Sequence, residues 1–276
     1  AVGARVTGGV CAVARIGPRG DSAVPGAQQA LAALHRSPDV MDETGVMPDM
    51  PHHLLVLPEQ RTVDDPTVER LEAFVRNGGA LLSTGPSLRS EKLAKLLGVT
   101  AVRHNPCPPH GRVDEASPEP AGFPAAIVRR LGEGVAVHVA TELFSKYRWL
   151  GDPQMLRWID ELLAFLQPTP LFTTNAPSWV DVALRRKDDR LLIHFVNHTP
   201  GRDVVRLHTD DLWVDEIPQV GPFKCALRCA SESSAVMLEP EHEPLDHAFD
   251  DGVLTVMLPR LEIHSCIAIE GWDRLA

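Results

Sequence analysis

The sequence is poor in aromatic rings: Phe, Trp and Tyr make up 5% of its 276 residues, and Tyr147 is the only tyrosine. It also lacks any Lys/Arg-rich block, and its formal net charge is −10. A chain of that sign has no electrostatic footprint for nucleic acid or an anionic membrane surface. No stretch approaches the roughly 20 apolar residues that a membrane-spanning helix needs. No signal peptide is present, and the chain opens "AVGARV" without an initiator Met, which reads as a processed chain or a piece of a longer one.

Cysteine is scarce and odd in number (Cys11, Cys107, Cys225, Cys229 and Cys266), so a disulfide framework is not expected and a reducing cytoplasm fits better. Only Cys225 and Cys229 lie close together. Their C-x3-C spacing, with no second pair or nearby His-x3-His, does not make a zinc site. Neither G-x-G-x-x-G nor G-x4-G-K-[ST] occurs, so no phosphate-cradling loop is present, and no cofactor is implied.

What remains is a globular composition, 44% apolar and 23% charged, with enough length for two ordinary domains. From Val10 to about Gln167, apolar runs alternate with amphipathic segments. Strands are expected in "VCAVARI" (10–16), "PDVMD" (38–42), "HLLVLPE" (53–59), "ALLSTG" (80–85) and "GVAVHVAT" (134–141). Helices are expected over 26–36, 66–77, 90–98 and 153–166. This alternation implies a parallel sheet covered on both faces. In the helix at 66–77, Asp65 is placed to cap, Pro66 sits in the first turn, and Val68, Leu71, Phe74 and Val75 share a face. Gly78 and Gly79 end it.

After "QPTP" (167–170) the rhythm shortens. "WVDVALRRKDDRLLIHFVNHTP" reads as two strands joined at Lys187-Asp188-Asp189, and "DVVRLHT", "SAVMLEP" and "GVLTVMLPRLEIHSCIAIE" follow with no convincing helix. The expected division is therefore an α/β domain over 1–168 and an antiparallel β-sandwich over 169–276.

Parallel sheets place their chemistry at the carboxyl ends of the strands. The corner after "ALLSTG" offers Ser83 and Thr84, but neither the G-x-S-x-G of a hydrolase elbow nor a Cys between glycines. A hydroxyl there more often caps the next helix. His138 and Glu142 in "VAVHVATE" suggest a base, yet His138 lies inside an alternating strand and points to a sheet face. "HNPCPPH" (104–110) groups His104, Cys107 and His110 in a proline-rich loop, and "EPEHEPLDH" (239–247) reads as a solvated acidic loop. More informative is "ELFSKYRWLGDP" (142–153), where Phe144, Tyr147 and Trp149 stand beside Glu142, Lys146 and Arg148. Aromatic faces mixed with charged hydrogen-bonders suit a sugar surface or an interface.

Three stretches carry a resemblance. "LLVLPEQRTVDDPTVERLEAFVRNGGALLSTGP", "GEGVAVHVATELFSKYRWLGDPQ" and "APSWVDVALRRKDDRLLIHFVNHTPGR" together resemble the C-terminal region of bacterial glycoside hydrolases. In that region a glutamine-amidotransferase-like domain, the beta-galactosidase trimerisation domain, precedes a C-terminal β-domain. The likeness spans about residues 40 to 205 and departs at "VCAVARIGPRG". It implies a flavodoxin-like, doubly wound domain without the amidotransferase cysteine, followed by the sandwich. The family's catalytic carboxylates lie in a TIM barrel of roughly 250 residues, for which this chain has no room, so no catalytic residue carries over.

The resemblance implies a non-catalytic region of a beta-galactosidase-like or alpha-L-fucosidase-like hydrolase. Its role would be oligomerisation and shaping of the carbohydrate site, with the barrel of the same or a neighbouring chain as partner. Glu142, Tyr147, Arg148 and Trp149 are the candidate substrate-binding or interface residues, with Tyr147 and Trp149 expected to be at least partly exposed at a strand-end loop. The alternatives are a stand-alone hydrolase or amidase using Thr84 or Ser83 with His138, and a sugar-binding module.

Overall fold

A computed structural model describes residues 4–5, 10–14, 23–60, 62–85, 88–99, 126–198 and 216–273. They form two compact units.

The first unit comprises Gly9–Ala30 and Pro38–Thr169. Its strands are β2 (Val10–Ala14), β3 (Asp39–Asp42), β4 (Leu54–Leu57), β5 (Ala80–Thr84), β6 (Ala126–Leu131) and β7 (Gly134–Val139). They form one sheet in the order β3-β2-β4-β5-β7-β6. All neighbouring pairs are parallel except β6 with β7. The apolar run of β4 is fully buried along its length, as a strand covered on both faces must be. Leu55, Leu57 and Leu81 join one cluster with α2 (Asp65–Arg76) and α3 (Glu91–Leu97). Leu54, Val56 and Leu82 are equally buried and alternate to the other face. Helix α5 (Pro153–Leu166) packs against β5, and α4 (Leu143–Leu150) packs against α5.

Helix α2 shows how local chemistry sets these elements. Its cap is Asp64, whose carboxylate accepts from the Thr67 N–H at 2.9 Å, and Asp65 is instead the first helical residue. The expected cap is thus displaced by one position, because Pro66 tolerates the second helical position as well as the first. Val68, Leu71, Phe74 and Val75 are buried as their spacing requires. Gly78, at φ 100°, turns the chain out of the helix, and a side chain at Gly79 would run into the Phe74 ring.

Two further elements were not legible in the sequence. Strand β6 forms a hairpin with β7 through Gly132-Glu133, with Gly132 at φ 58°. Its residues Ala126–Val128 are exposed, so β6 carries no buried apolar signal over its first half. The segment read as a strand-end loop is helix α4. Leu143, Phe144 and Tyr147 form its buried face, and Gly151 at φ 61° ends it in the left-handed conformation. Aromatic residues of middling helix propensity mask an eight-residue helix from a pattern search.

The second unit comprises Pro170–Ala276 together with Ala1–Gly8 and Leu31–Ser37, the latter including the last turn of α1 (Ala23–Ala33). Its strands are β1 (Ala4–Arg5), β8 (Phe172–Thr174), β9 (Val180–Lys187), β10 (Arg190–Asn197), β11 (Phe223–Arg228), β12 (Ala235–Glu239), β13 (Glu243–Pro244), β14 (His247–Asp250), β15 (Val253–Leu258) and β16 (His264–Glu270). One sheet runs β1-β9-β10-β16-β12-β13 and the other β14-β15-β11-β8. Every pairing is antiparallel. Alternate residues of both sheets meet in a single cluster, with Val182, Ile193, Phe195 and Ile267 from one and Phe172, Leu227, Leu254 and Val256 from the other. That is a sandwich core. The β9–β10 hairpin turns at Asp188-Asp189, as its sequence requires. The acidic stretch 239–247 is turn and edge rather than plain loop, since Glu243 and Pro244 pair with β12. "DVVRLHT" lies outside the described residues, and no described residue after 170 is helical.

Candidate functional site

The carboxyl ends of β4, β5 and β7 converge where an α/β sheet would present reacting groups. Thr84, the last residue of β5, is completely buried, and its hydroxyl accepts from the Glu59 N–H at 3.1 Å. That bond fastens the loop after β4. Gly85 follows at φ 124°, and a side chain there would crowd the Glu59 backbone. The corner is therefore closed by its neighbour.

Ser83 and His138 are direct cross-strand partners in β5 and β7. Ser83 Oγ and His138 Nδ1 lie 3.2 Å apart, and both residues are completely buried. Burial lowers the His138 pKa to about 4, so the ring is neutral near pH 7. Among the described residues its Nε2 has no hydrogen-bond partner, and none of them orients the imidazole as a third group would. The hydroxyl–imidazole contact of a nucleophilic dyad is present, but in the sheet interior, without access for a substrate. It is Ser83, not Thr84, that meets the imidazole.

Glu59 does something the sequence did not announce. It stands in the left-handed region at φ 55°, and Oε1 accepts from the N–H groups of Phe144 at 2.7 Å and Ser145 at 2.9 Å. These belong to the first turn of α4, whose own cap residue, Glu142, makes no side-chain capping bond. A carboxylate from a distant loop thus serves as the cap. Burial raises the Glu59 pKa above the usual carboxylate range, against the lowering effect of those two bonds. Beside it, Gln60 Nε2 donates to the Val13 carbonyl at 2.5 Å. That side chain spans the gap between β2 and β4, the point where strand order reverses and ligands usually enter.

The candidate residues share one short helix but divide between its faces. Tyr147 is buried, which corrects the expectation that it is exposed: it lies one turn beyond Leu143 and Phe144 on the face turned to the protein. Trp149 is 72% exposed, and next to it in the chain Leu150 is 66% exposed. Glu142 and Arg148 are half-buried, and Arg148 Nη1 donates to Gln29 Oε1 at 3.2 Å. Gly26 of α1 packs so closely on Phe144 that a side chain there would meet its backbone carbonyl.

The remaining chemical groups are quiet. Cys225 and Cys266 are free and buried, and burial pushes both thiols up to about 11. Cys11 and Cys229 are likewise buried. Among the described residues no group of three or more His, Cys, Asp or Glu is placed to hold a metal ion, and no helix is long and apolar enough to cross a membrane. His242 pairs with Glu239 at 3.0 Å on the surface. His104, Cys107 and His110 lie outside the described residues.

No protein-family model matches the chain, and no curated protein matches it in sequence. Solved structures do. Alpha-L-fucosidase isoenzyme 2 from Paenibacillus thiaminolyticus matches with a TM-score of 0.73 at 15% identity, over 98% of this chain and 49% of that one. A catalytic mutant of Gan42B, a GH42 beta-galactosidase from G. stearothermophilus, matches with a TM-score of 0.60 at 15% identity, over 97% of this chain and 41% of that one. A beta-galactosidase from Bacillus circulans sp. alkalophilus gives 0.59 at 14% identity, over 94% and 41%. The chain spans less than half the length of these proteins. Its α/β unit and β-sandwich together have the fold of one part of glycoside hydrolases, alpha-L-fucosidase and GH42 beta-galactosidase among them.

Proposed function

We propose that this chain is the C-terminal, non-catalytic region of a beta-galactosidase-like or alpha-L-fucosidase-like glycoside hydrolase. In this reading the α/β unit, Gly9–Ala30 with Pro38–Thr169, is a degenerate amidotransferase-like domain, and the unit built mainly on Pro170–Ala276 is the C-terminal β-sandwich. The partner is a TIM barrel of the same or a neighbouring chain, and the region serves oligomerisation and shapes the carbohydrate site. The parallel strands supply one support, since their order of second, first, third, fourth and fifth is the flavodoxin-like one.

The observation that carries the reading is the match of nearly the whole chain to less than half of the fucosidase, combined with a strand-end corner whose hydroxyls are buried. Glu59 Oε1, the Thr84 hydroxyl and Gln60 Nε2 are each engaged in holding backbone groups of loops, strands and helix α4. The exposed Trp149–Leu150 pair, rimmed by Glu142 and Arg148, is the surface we assign to the partner. The unbridged buried thiols of Cys225, Cys229 and Cys266 suit a cytoplasmic setting.

The test is a panel of nitrophenyl glycosides. The purified chain should hydrolyse none of them, and the same chain joined to its barrel should turn over at least one. Hydrolysis by the isolated chain that disappears in Ser83→Ala or His138→Ala would overturn the reading and establish the stand-alone hydrolase instead.

A further inference from the structure

The second unit presents a set of side chains that the proposal above leaves unused. In β9 and β10, Val180, Val182, Leu184, Leu191, Ile193 and Phe195 face the sandwich core. Alternation sends Asp181, His194 and Val196 to the outer face of the six-stranded sheet. Register then sets the neighbours: Asp181 is opposite Val196, which is opposite His264 of β16. One step beyond the ladder, the His198 N–H donates to the Trp179 carbonyl at 3.2 Å, so these two residues continue the pairing.

The polar groups here are held in pairs. His198 Nε2 and Asp181 Oδ2 are 2.9 Å apart. His194 Nδ1 and His264 Nε2 are 3.1 Å apart, with the rings stacked at 5.4 Å. The flanking loops are pinned by buried Asn197, whose Nδ2 donates to the carbonyls of Pro218 at 3.0 Å and Glu262 at 2.9 Å. Beside this polar floor, in phase with Asp181 and opposite His198, stands an exposed apolar residue, Trp179, at 40%.

We propose that this end of the outer face binds a pyranose unit of a carbohydrate, stacked on the Trp179 ring with its hydroxyls bonded to the Asp181–His198 pair and to His264. The inference rests on the reading that the chain belongs to a carbohydrate-processing enzyme. An indole offers a flat apolar plate to the C–H face of a sugar, and beyond their mutual bond the pair keeps a lone pair on Asp181 Oδ2 and the ring nitrogen Nδ1 of His198 for sugar hydroxyls. Other ligand classes fit less well. The described residues form no metal-binding group of three. A carboxylate at the centre disfavours an anion.

The experiment titrates the full chain with methyl galactoside, methyl fucoside and methyl glucoside, following amide shifts by NMR. A sugar of roughly 12 non-hydrogen atoms at ordinary ligand efficiency should bind with a Kd of about 1 mM. The shifts should centre on residues 179–181, 196–198 and 263–264. Trp179→Ala should weaken binding at least tenfold, Asp181→Asn severalfold, and Trp179→Phe should retain most of it. Phe165→Ala, an exposed apolar position on the other unit, should bind as the parent does. The absence of saturable shifts with all three glycosides, or undiminished binding in Trp179→Ala, overturns the proposal. Failure is separable from failure of the functional reading. Glycoside hydrolysis by the barrel-joined enzyme without sugar binding at Trp179 sinks this site alone. Sugar binding at Trp179 in a chain that hydrolyses nothing when joined to a barrel sinks only the reading.

Discussion

Replacing Glu59 separates two opposed effects at the first turn of α4. Its carboxylate accepts from two backbone N–H groups, those of Phe144 and Ser145. Glu59→Ala leaves both without an acceptor and recovers nothing in the backbone, because alanine is equally strained at φ 55°. Loss of such a cap costs about 1–3 kcal/mol. Amide exchange at Phe144 and Ser145 should then quicken roughly 5- to 150-fold where local opening governs it. Glu59→Gln keeps an oxygen acceptor and removes the charge, so its stability should stay within about 1 kcal/mol of the parent.

The sign with pH follows from the raised pKa. Burial is the largest cause, and the charge of Glu142 acts in the same direction, while the Ser145 and Phe144 bonds oppose them. The folded state therefore holds the Glu59 proton more tightly than the unfolded chain does. Its contribution to stability grows as pH falls through the folded pKa, and levels off below the unfolded one. Urea unfolding at several pH values between 7.5 and 4 should show the parent gaining on Glu59→Gln as the solution is acidified. If the parent instead loses ground to Glu59→Gln on acidification, the ionised carboxylate is net stabilising and the burial argument is refuted.

On α4, Trp149→Ala should leave stability within about 0.5 kcal/mol, because the ring is 72% exposed, while weakening assembly with a barrel partner in sedimentation. Tyr147→Ala should cost about 3–5 kcal/mol in urea unfolding, because that ring is buried. His138, with its pKa lowered to about 4, binds its proton less readily folded than unfolded. The parent should therefore lose about 3 kcal/mol between pH 6.5 and 4 through this residue, a loss absent from His138→Gln in the same titration. Cys225 and Cys266 should react with a thiol reagent at neutral pH only after unfolding, given thiols pushed up to about 11 and buried; rapid labelling of the native chain would contradict that.

The order of elements in the α/β unit was written locally. The run Leu54–Leu57 could only be a strand buried on both faces, and the spacing of Val68, Leu71, Phe74 and Val75 could only bury one face of a helix. The lack of a G-x-S-x-G or a cysteine at the corner after β5 was equally legible, because a missing residue type needs no coordinates. Period-2 alternation and the Asp188-Asp189 turn likewise specified the β9–β10 hairpin. Tertiary structure alone decided the rest. Glu59 caps α4 from 85 residues away, a partnership no sequence spacing encodes. Tyr147 and Trp149 stand two positions apart in the same apolar-looking segment, yet a helix turns one inward and the other to the surface. Asp181, His198 and His264 share one sheet face because antiparallel register, set by which faces bury Val180, Phe195 and Ile267, carries β9 and β16 to either side of β10. Local composition chooses the period of each element; only the burial of distant apolar faces against one another chooses which polar groups become neighbours.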